Sequence, residues 1–217
     1  MVVQNQGGSA SAKPKRSPGR PPGGTEEAFR ARRHEILRAA AQMFNERGFH
    51  ETSLSDLADR LNVTKPSIYY YVESKDALLF ECSGVALAQM QLAAAEILTC
   101  HTGLERLETF FRHYTRLLCD DFGRCLALTD PRWLEPDSRK SNLAGRRALT
   151  NKVEEFLVEG MADGSIGPCD TRLTTYTLFS AFNGIARWWK AGRDPAPDDM
   201  AALTLGTFTA GLKPRQT

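Results

Sequence analysis

Helical patterning starts three times between Ser53 and Leu79, in "SLSDLADRLNVTKPSIYYYVESKDALL", and this punctuation narrows the fold more than any bulk property. Ser53, with Asp56 three residues on, forms a capping arrangement that puts an acidic residue in the first turn. Leu54, Leu57, Ala58 and Leu61 then give a short helix one buried side. Asn62 suits the left-handed conformation that ends such a helix. Thr64 caps a second short helix with Pro66 in its first turn, where a missing N–H costs little. That helix closes near Val72, and Ser74 caps another that runs far past Leu79. A longer helix precedes them, from Thr25 to about Arg47. In it Ile36, Ala40, Met43 and Phe44 share a face, as do Leu37 and Ala41, and Gly48 is placed to end it. Two short helices joined by a tight turn and packed on a longer one make a helix-turn-helix.

The stretch from Ile36 to Leu79, "ILRAAAQMFNERGFHETSLSDLADRLNVTKPSIYYYVESKDALL", resembles without a gap the DNA-binding domain of TetR-family transcriptional regulators. Gly48-Phe49 after the first helix, "DLA" in the second and "IYYYVESK" at the exit of the third carry the likeness. The resemblance implies an all-α fold, with an N-terminal three-helix helix-turn-helix domain at 25–80. A C-terminal helical ligand-binding and dimerisation domain at 81–212 would follow. It also implies a ligand-responsive repressor that binds a palindromic operator on double-stranded DNA as a homodimer. An architectural DNA-binding protein without an effector is the alternative.

The third helix must turn one face inward and the other to a major groove that just admits a helix. Ile68 and Val72, four apart, belong to the packed face with Val63. Lys65 and Tyr69 lie opposite, with Thr64, Pro66, Ser67 and Tyr70 nearby. Lys65 can donate to guanine O6 and N7, the Ser67 hydroxyl suits several base edges, and Pro66 offers apolar contact to a thymine methyl. Tyrosine hydroxyls suit phosphate oxygens. By resemblance, the family's phosphate-contacting positions fall on Tyr69, Tyr71 and Lys75, and Ser55 falls where a side chain reaches a base or phosphate. Tyr71 reads as a mixed case, ring partly packed and hydroxyl outward; Tyr70 is open between base and phosphate.

Residues 1–24, "MVVQNQGGSASAKPKRSPGRPPGG", lack the apolar content to fold and read as a disordered basic arm. Lys13, Lys15, Arg16 and Arg20 stand there with no acidic residue. The "PGRPP" segment resembles the AT-hook, which lays an arginine into a narrow minor groove. Attraction to phosphate without sequence preference, and a plain solvated tail, are the other readings. Charge supports a polyanionic partner for this end: residues 1–80 carry +3 and the remainder −1, within a net +2.

Hydrophobic residues make up 41% of the 217 and charged ones 25%, ordinary for a globular chain. No apolar run approaches the roughly 18 residues a membrane span needs, and no stretch of signal-peptide length opens the chain, so a cytoplasmic protein without a membrane partner is expected. Cys82, Cys100, Cys119, Cys125 and Cys169 match neither a disulfide framework nor CxxC metal spacing. His34, His50, His101 and His113 form no metal spacing, and no GxSxG, Walker loop or GxGxxG occurs. Asp120-Asp121 and Glu154-Glu155 read as solvated pairs. Catalysis, a cofactor and a metal site are therefore not expected.

The C-terminal half reads as helical segments near 81–100, 104–119, 140–162, 170–191 and 198–211, broken at Gly103, "LTDPRWLEPDSR", "DGSIGPCD" and "GRDPAPDD". Candidate pocket walls are Phe110, His113 and Tyr114, then Leu149, Val153 and Phe156. A stripe of Leu178, Ala181, Ile185 and Trp188, with Asn183 and Arg187 as polar interruptions, is a third. Plain core packing is the other reading for each. The surroundings of "FNGIARWW", with Arg146 and Arg147, resemble TetR-family members that sense acyl-CoA thioesters, which implies arginines on CoA phosphates and an apolar tunnel for the acyl chain. A hydrophobic drug or aromatic effector stays open. Small residues Ala181, Gly184, Gly206 and Ala210 among Phe179, Phe182, Leu205 and Phe208 suit a homodimer built from the last two helices, or else closure of an internal core.

Overall fold

The computed structural model describes residues 25–212, all helix and connecting turn. The order is α1 Glu26–Arg47, α2 Leu54–Arg60, α3 Lys65–Tyr71, α4 Lys75–Leu92, α5 Ala94–Ile97, α6 Gly103–Leu118, α7 Asp121–Leu128, a 3-10 turn Pro131–Trp133, α8 Pro136–Asp163, α9 Thr171–Trp188 and α10 Pro197–Leu212. The basic arm with Arg16 and Arg20 lies outside the described residues.

Local chemistry sets the helix starts. The Thr25 hydroxyl accepts from the Ala28 N–H at 3.2 Å, and Ser74 accepts from Ala77 at 3.0 Å. Ser53 and Asp56 form a reciprocal capping box. Asn62 adopts φ 51°, the left-handed turn between α2 and α3. Thr64 departs from the pattern: its hydroxyl pairs with the Ser67 hydroxyl at 2.8 Å and caps no N–H. Helices of seven residues are marginal alone. α2 and α3 persist because Leu54, Leu57, Ala58, Ile68 and Val72 join one core with Ile36, Leu37, Ala40, Met43 and Phe44 of α1. Arg60 ties the end of α2 back to α1, donating to Glu46 at 2.8 and 3.1 Å and to Gln42 at 3.1 Å.

α4 corrects the expectation that no stretch is apolar enough to span a membrane. Together with α5 it makes the stretch Lys75–Ile97, which meets the requirement by length and composition, but α4 packs within the fold, touching α1, α6, α7 and α8. It runs unbroken through residue 80, so the expected domain boundary falls inside a helix shared by both halves.

The sequence reading also missed α7. Its first turn contradicts the solvated reading of Asp120-Asp121. Arg38 of α1 donates to Asp120 at 2.8 Å and Asp121 at 3.4 Å, Gln42 to Asp121 at 2.8 Å, and Asn45 to the Asp121 carbonyl at 2.9 Å. This polar seam joins α1 to the helices beyond the α1–α3 end. Farther out, α6 and α8 meet at a pair of glycines. A Cβ on Gly103 would lie 2.1 Å from the Gly160 nitrogen and 2.5 Å from the Phe156 oxygen, so only glycine permits this approach.

Candidate nucleic-acid interface and effector cavity

α3 presents Thr64, Lys65, Pro66 and Tyr69 to solvent, with Tyr69 47% exposed, while Ile68 is fully buried. A groove of about 510 Å³ runs between this face, the start of α2 and the start of α4; Ser55, Lys65, Tyr69 and Lys75 all line it. The structure thus brings together side chains from three different helices.

The three consecutive tyrosines take three environments. Tyr69 points out. Tyr71 stacks on Phe29 of α1, ring centroids 5.0 Å apart, and Tyr70 meets Phe29 edge-on at 5.7 Å and Tyr71 at 5.0 Å. Phe29 therefore anchors the exit of α3, which the sequence reading overlooked. Its register was available, since Phe29 lies seven residues before Ile36 on one helical face.

Lys75 sits differently from the phosphate clamp expected of it. Its ammonium donates to the carbonyls of Phe49 at 2.8 Å, Thr52 at 2.9 Å and His50 at 3.5 Å, and lies 4.2 Å from the Phe49 ring centroid. An ammonium has three N–H donors, and here three carbonyls of the α1–α2 loop face them. Trp133 stacks on the far partner of this cluster, parallel to Phe49 at 6.1 Å and edge-on to His50 at 5.1 Å.

A second site lies among α4, α5, α6 and α8, a cavity of about 480 Å³, within the size range of small-molecule sites. Phe110, Leu149 and Phe156, expected on pocket walls, stand on its wall together with Leu87, Met90, Ile97 and Arg106, which were not expected there. Arg106 was legible in principle, one turn before Phe110 on α6.

Other pocket candidates fall elsewhere. Val153 is wholly buried in the core. His113 turns away, its Nε2 2.6 Å from Glu96. The Tyr114 hydroxyl donates to Asn183 at 2.6 Å inside the core, where burial pushes its pKa far up. Arg146, expected to meet CoA phosphates, instead caps the C-terminus of α7. It donates to the carbonyls of Leu126 at 2.5 Å and Thr129 at 3.3 Å and to Asn142 at 2.7 Å; burial lowers its pKa. The stripe ending at Trp188 is also corrected. α9 stops there, Arg187 and Trp188 face solvent, and Trp189 turns inward with its indole N–H donating to the Pro195 carbonyl at 2.9 Å. Of the residues expected at a dimer face, Phe179, Phe182 and Leu205 are buried within the subunit. Leu173, Tyr176 and Trp188 of α9 and Leu203 of α10 are left exposed.

Residues 36–82 match the family model described as bacterial regulatory proteins, tetR family, and residues 100–212 match a tetracyclin repressor-like C-terminal domain. The HTH-type transcriptional repressor KstR2 of Rhodococcus jostii is 34% identical over 198 residues, covering 88% of this chain and 96% of that protein. Among solved structures, the ketosteroid transcriptional regulator KstR2 of Mycobacterium tuberculosis gives a TM-score of 0.78 at 21% identity, over 85% of this chain and 96% of that one. AibR, crystallised with isovaleryl coenzyme A and operator DNA, gives 0.72 at 21% identity, over 81% and 97%. At those identities the two structures speak for the fold.

Proposed function

Because the chain belongs to the TetR family of bacterial regulatory proteins, we propose that it is a cytoplasmic repressor. It binds a palindromic operator as a homodimer and lets go when a small apolar or acyl-CoA-type effector enters the cavity. The observation that carries the reading is the outward face of α3, where Lys65, Pro66 and Tyr69 stand exposed beside Ser55. On this reading Lys65 reads guanine, Pro66 and the Thr64–Ser67 hydroxyl pair meet neighbouring bases, and Ser55 and Tyr69 hold phosphates. Tyr70 and Tyr71 are positioning residues that hold the exit of α3 on Phe29, and Arg16 and Arg20 add attraction from the arm.

A second copy would use the exposed face of α9 and α10, around Leu173, Tyr176, Trp188 and Leu203. Two recognition helices then meet half-sites about 34 Å apart or more. The cavity argues against a purely architectural binder, and the coenzyme A thioester seen in AibR makes such esters the first candidates. Release follows if the effector prefers a conformation in which α6 and α7 no longer seat Asp120 and Asp121 on α1.

Footprinting on DNA upstream of its own gene should yield a discrete palindrome. Lys65→Ala should weaken that operator about ten- to a hundredfold, the worth of a base contact, and random DNA far less. Equal losses on both would remove Lys65 from base reading.

A further inference from the structure

The charged lining of the cavity is confined to α6 and α8. Arg106 of α6 and Lys152 and Glu159 of α8 supply it, and the remaining wall is apolar apart from Gln91.

Arg106 is poorly matched by its own chain. Nη1 donates to Glu159 at 2.5 Å, Nη2 reaches the Cys100 carbonyl only at 3.4 Å, and Nε is buried without a hydrogen-bond partner among the described residues. Nε and Nη2 form the edge of a guanidinium that grips a carboxylate or phosphate through two parallel N–H bonds. Here that edge is turned into the protein, with Nε buried and Nη2 on the Cys100 carbonyl, so an incoming anion meets the Nη1–Nη2 end that Glu159 now holds. The ion pair with Glu159 is half open to solvent, and pairs of this kind hold weakly. Lys152 meanwhile leans along its own helix to Glu155 at 2.6 Å.

We infer that Arg106 receives the anionic group of the effector at its Nη1–Nη2 end, in the place of Glu159, while the apolar body lies against Leu87, Met90, Phe110 and Phe156. This rests on the cavity being the effector site. The anionic group has two sources, the carboxylate of a free acid or a phosphate of a coenzyme A ester. Both present oxygens that accept from a guanidinium fork.

Calorimetric titration of the full chain with dodecanoate, dodecan-1-ol and dodecanoyl-CoA tests it. One or both anionic probes should bind wild type about tenfold or more tightly than the alcohol, the range of a charge-assisted bond. Arg106→Gln should erase that advantage and leave alcohol binding in place. Glu159→Gln, which frees the fork, should strengthen the anions severalfold. A preference for dodecanoate assigns the carboxylate; binding of the thioester alone assigns the phosphate. Equal binding of acid, ester and alcohol, or an advantage that survives Arg106→Gln, overturns the role of Arg106 and leaves the cavity reading intact. If none of the three binds, the cavity reading falls and this inference with it. Should Arg106→Gln fail to fold, Glu159→Gln decides alone, and no gain in anion affinity overturns the proposal.

Discussion

Replacing Lys75 by methionine separates two roles that one sequence position can play. The methionine keeps much of the aliphatic stem and removes the ammonium. Lost with it are two short bonds to the Phe49 and Thr52 carbonyls, a longer one to His50, and the contact with the Phe49 ring. A hydrogen bond to a charged group is worth about 1.5–3 kcal/mol, and the cation–π contact about 0.5–1 kcal/mol. Neighbouring losses do not add fully, and freed carbonyls at the loop surface regain water. A net loss of about 2–4 kcal/mol follows. For a chain of this size that lowers Tm by about 5–15 °C, read by thermal denaturation followed by circular dichroism. Operator affinity below the transition should keep its dependence on salt, because no phosphate contact is lost. The reasoning is refuted by an unchanged Tm together with weaker DNA binding and a log–log salt slope shallower by about 0.9, the signature of one phosphate contact.

Gly103→Ala should destabilise by at least ~2 kcal/mol, toward the upper end for overpacking, because its methyl would meet backbone of α8 at 2.1–2.5 Å; urea denaturation checks it, and a loss under about 0.5 kcal/mol would contradict the glycine contact. Arg146→Met uncaps α7 and leaves the Asn142 oxygen without its donor, for an expected loss of about 1–3 kcal/mol. Its effector affinity, measured by titration, should be unchanged in the folded protein. The Asp163 carboxyl is held below the usual aspartate range by the Ser165 hydroxyl and then by the N–H groups of Gly103 and Ser165. A depressed carboxyl stabilises above its unfolded pKa, and that contribution disappears as pH falls through the lower folded value. Asp163→Asn should therefore lower Tm at neutral pH and flatten its decline on the acid side.

What the sequence disclosed was mostly local. The caps at Thr25, Ser53 and Ser74, the turn at Asn62 and the inward pair Ile68 and Val72 depend on neighbours within a few residues, and those neighbours are visible in one string. Lys75 and Arg146 deceived for the opposite reason. A lone cation looks available until the fold brings carbonyls from 23 or more residues away, in the case of Lys75, or from the end of another helix, in the case of Arg146. The Trp188–Trp189 pair shows a subtler limit. Periodicity assigned the inward ring to Trp188, but the helix stops at that residue, and beyond the stop the 3.6-residue period no longer says which ring is inside. α7 escaped notice because only Cys119 and Asp120 separate it from α6, with no glycine or proline to mark a new start.

α4 joins the two ends of the molecule in one rigid segment. Leu78, Leu79 and Cys82 belong to the core beneath the recognition helix, and two turns on Leu87 and Met90 form the cavity wall. On the proposed function this constrains mutational drift: a change at Leu87 that altered effector preference would also act on the helix that carries the core of the DNA-binding end. New effector preferences would arise with fewer side effects at Ala148, Leu149 and Lys152 of α8. These stand about 15 Å or more along the helix from Ser138, where Asp76 of α4 holds it. Lineages that exchange one effector for another while keeping their operator should carry their substitutions there.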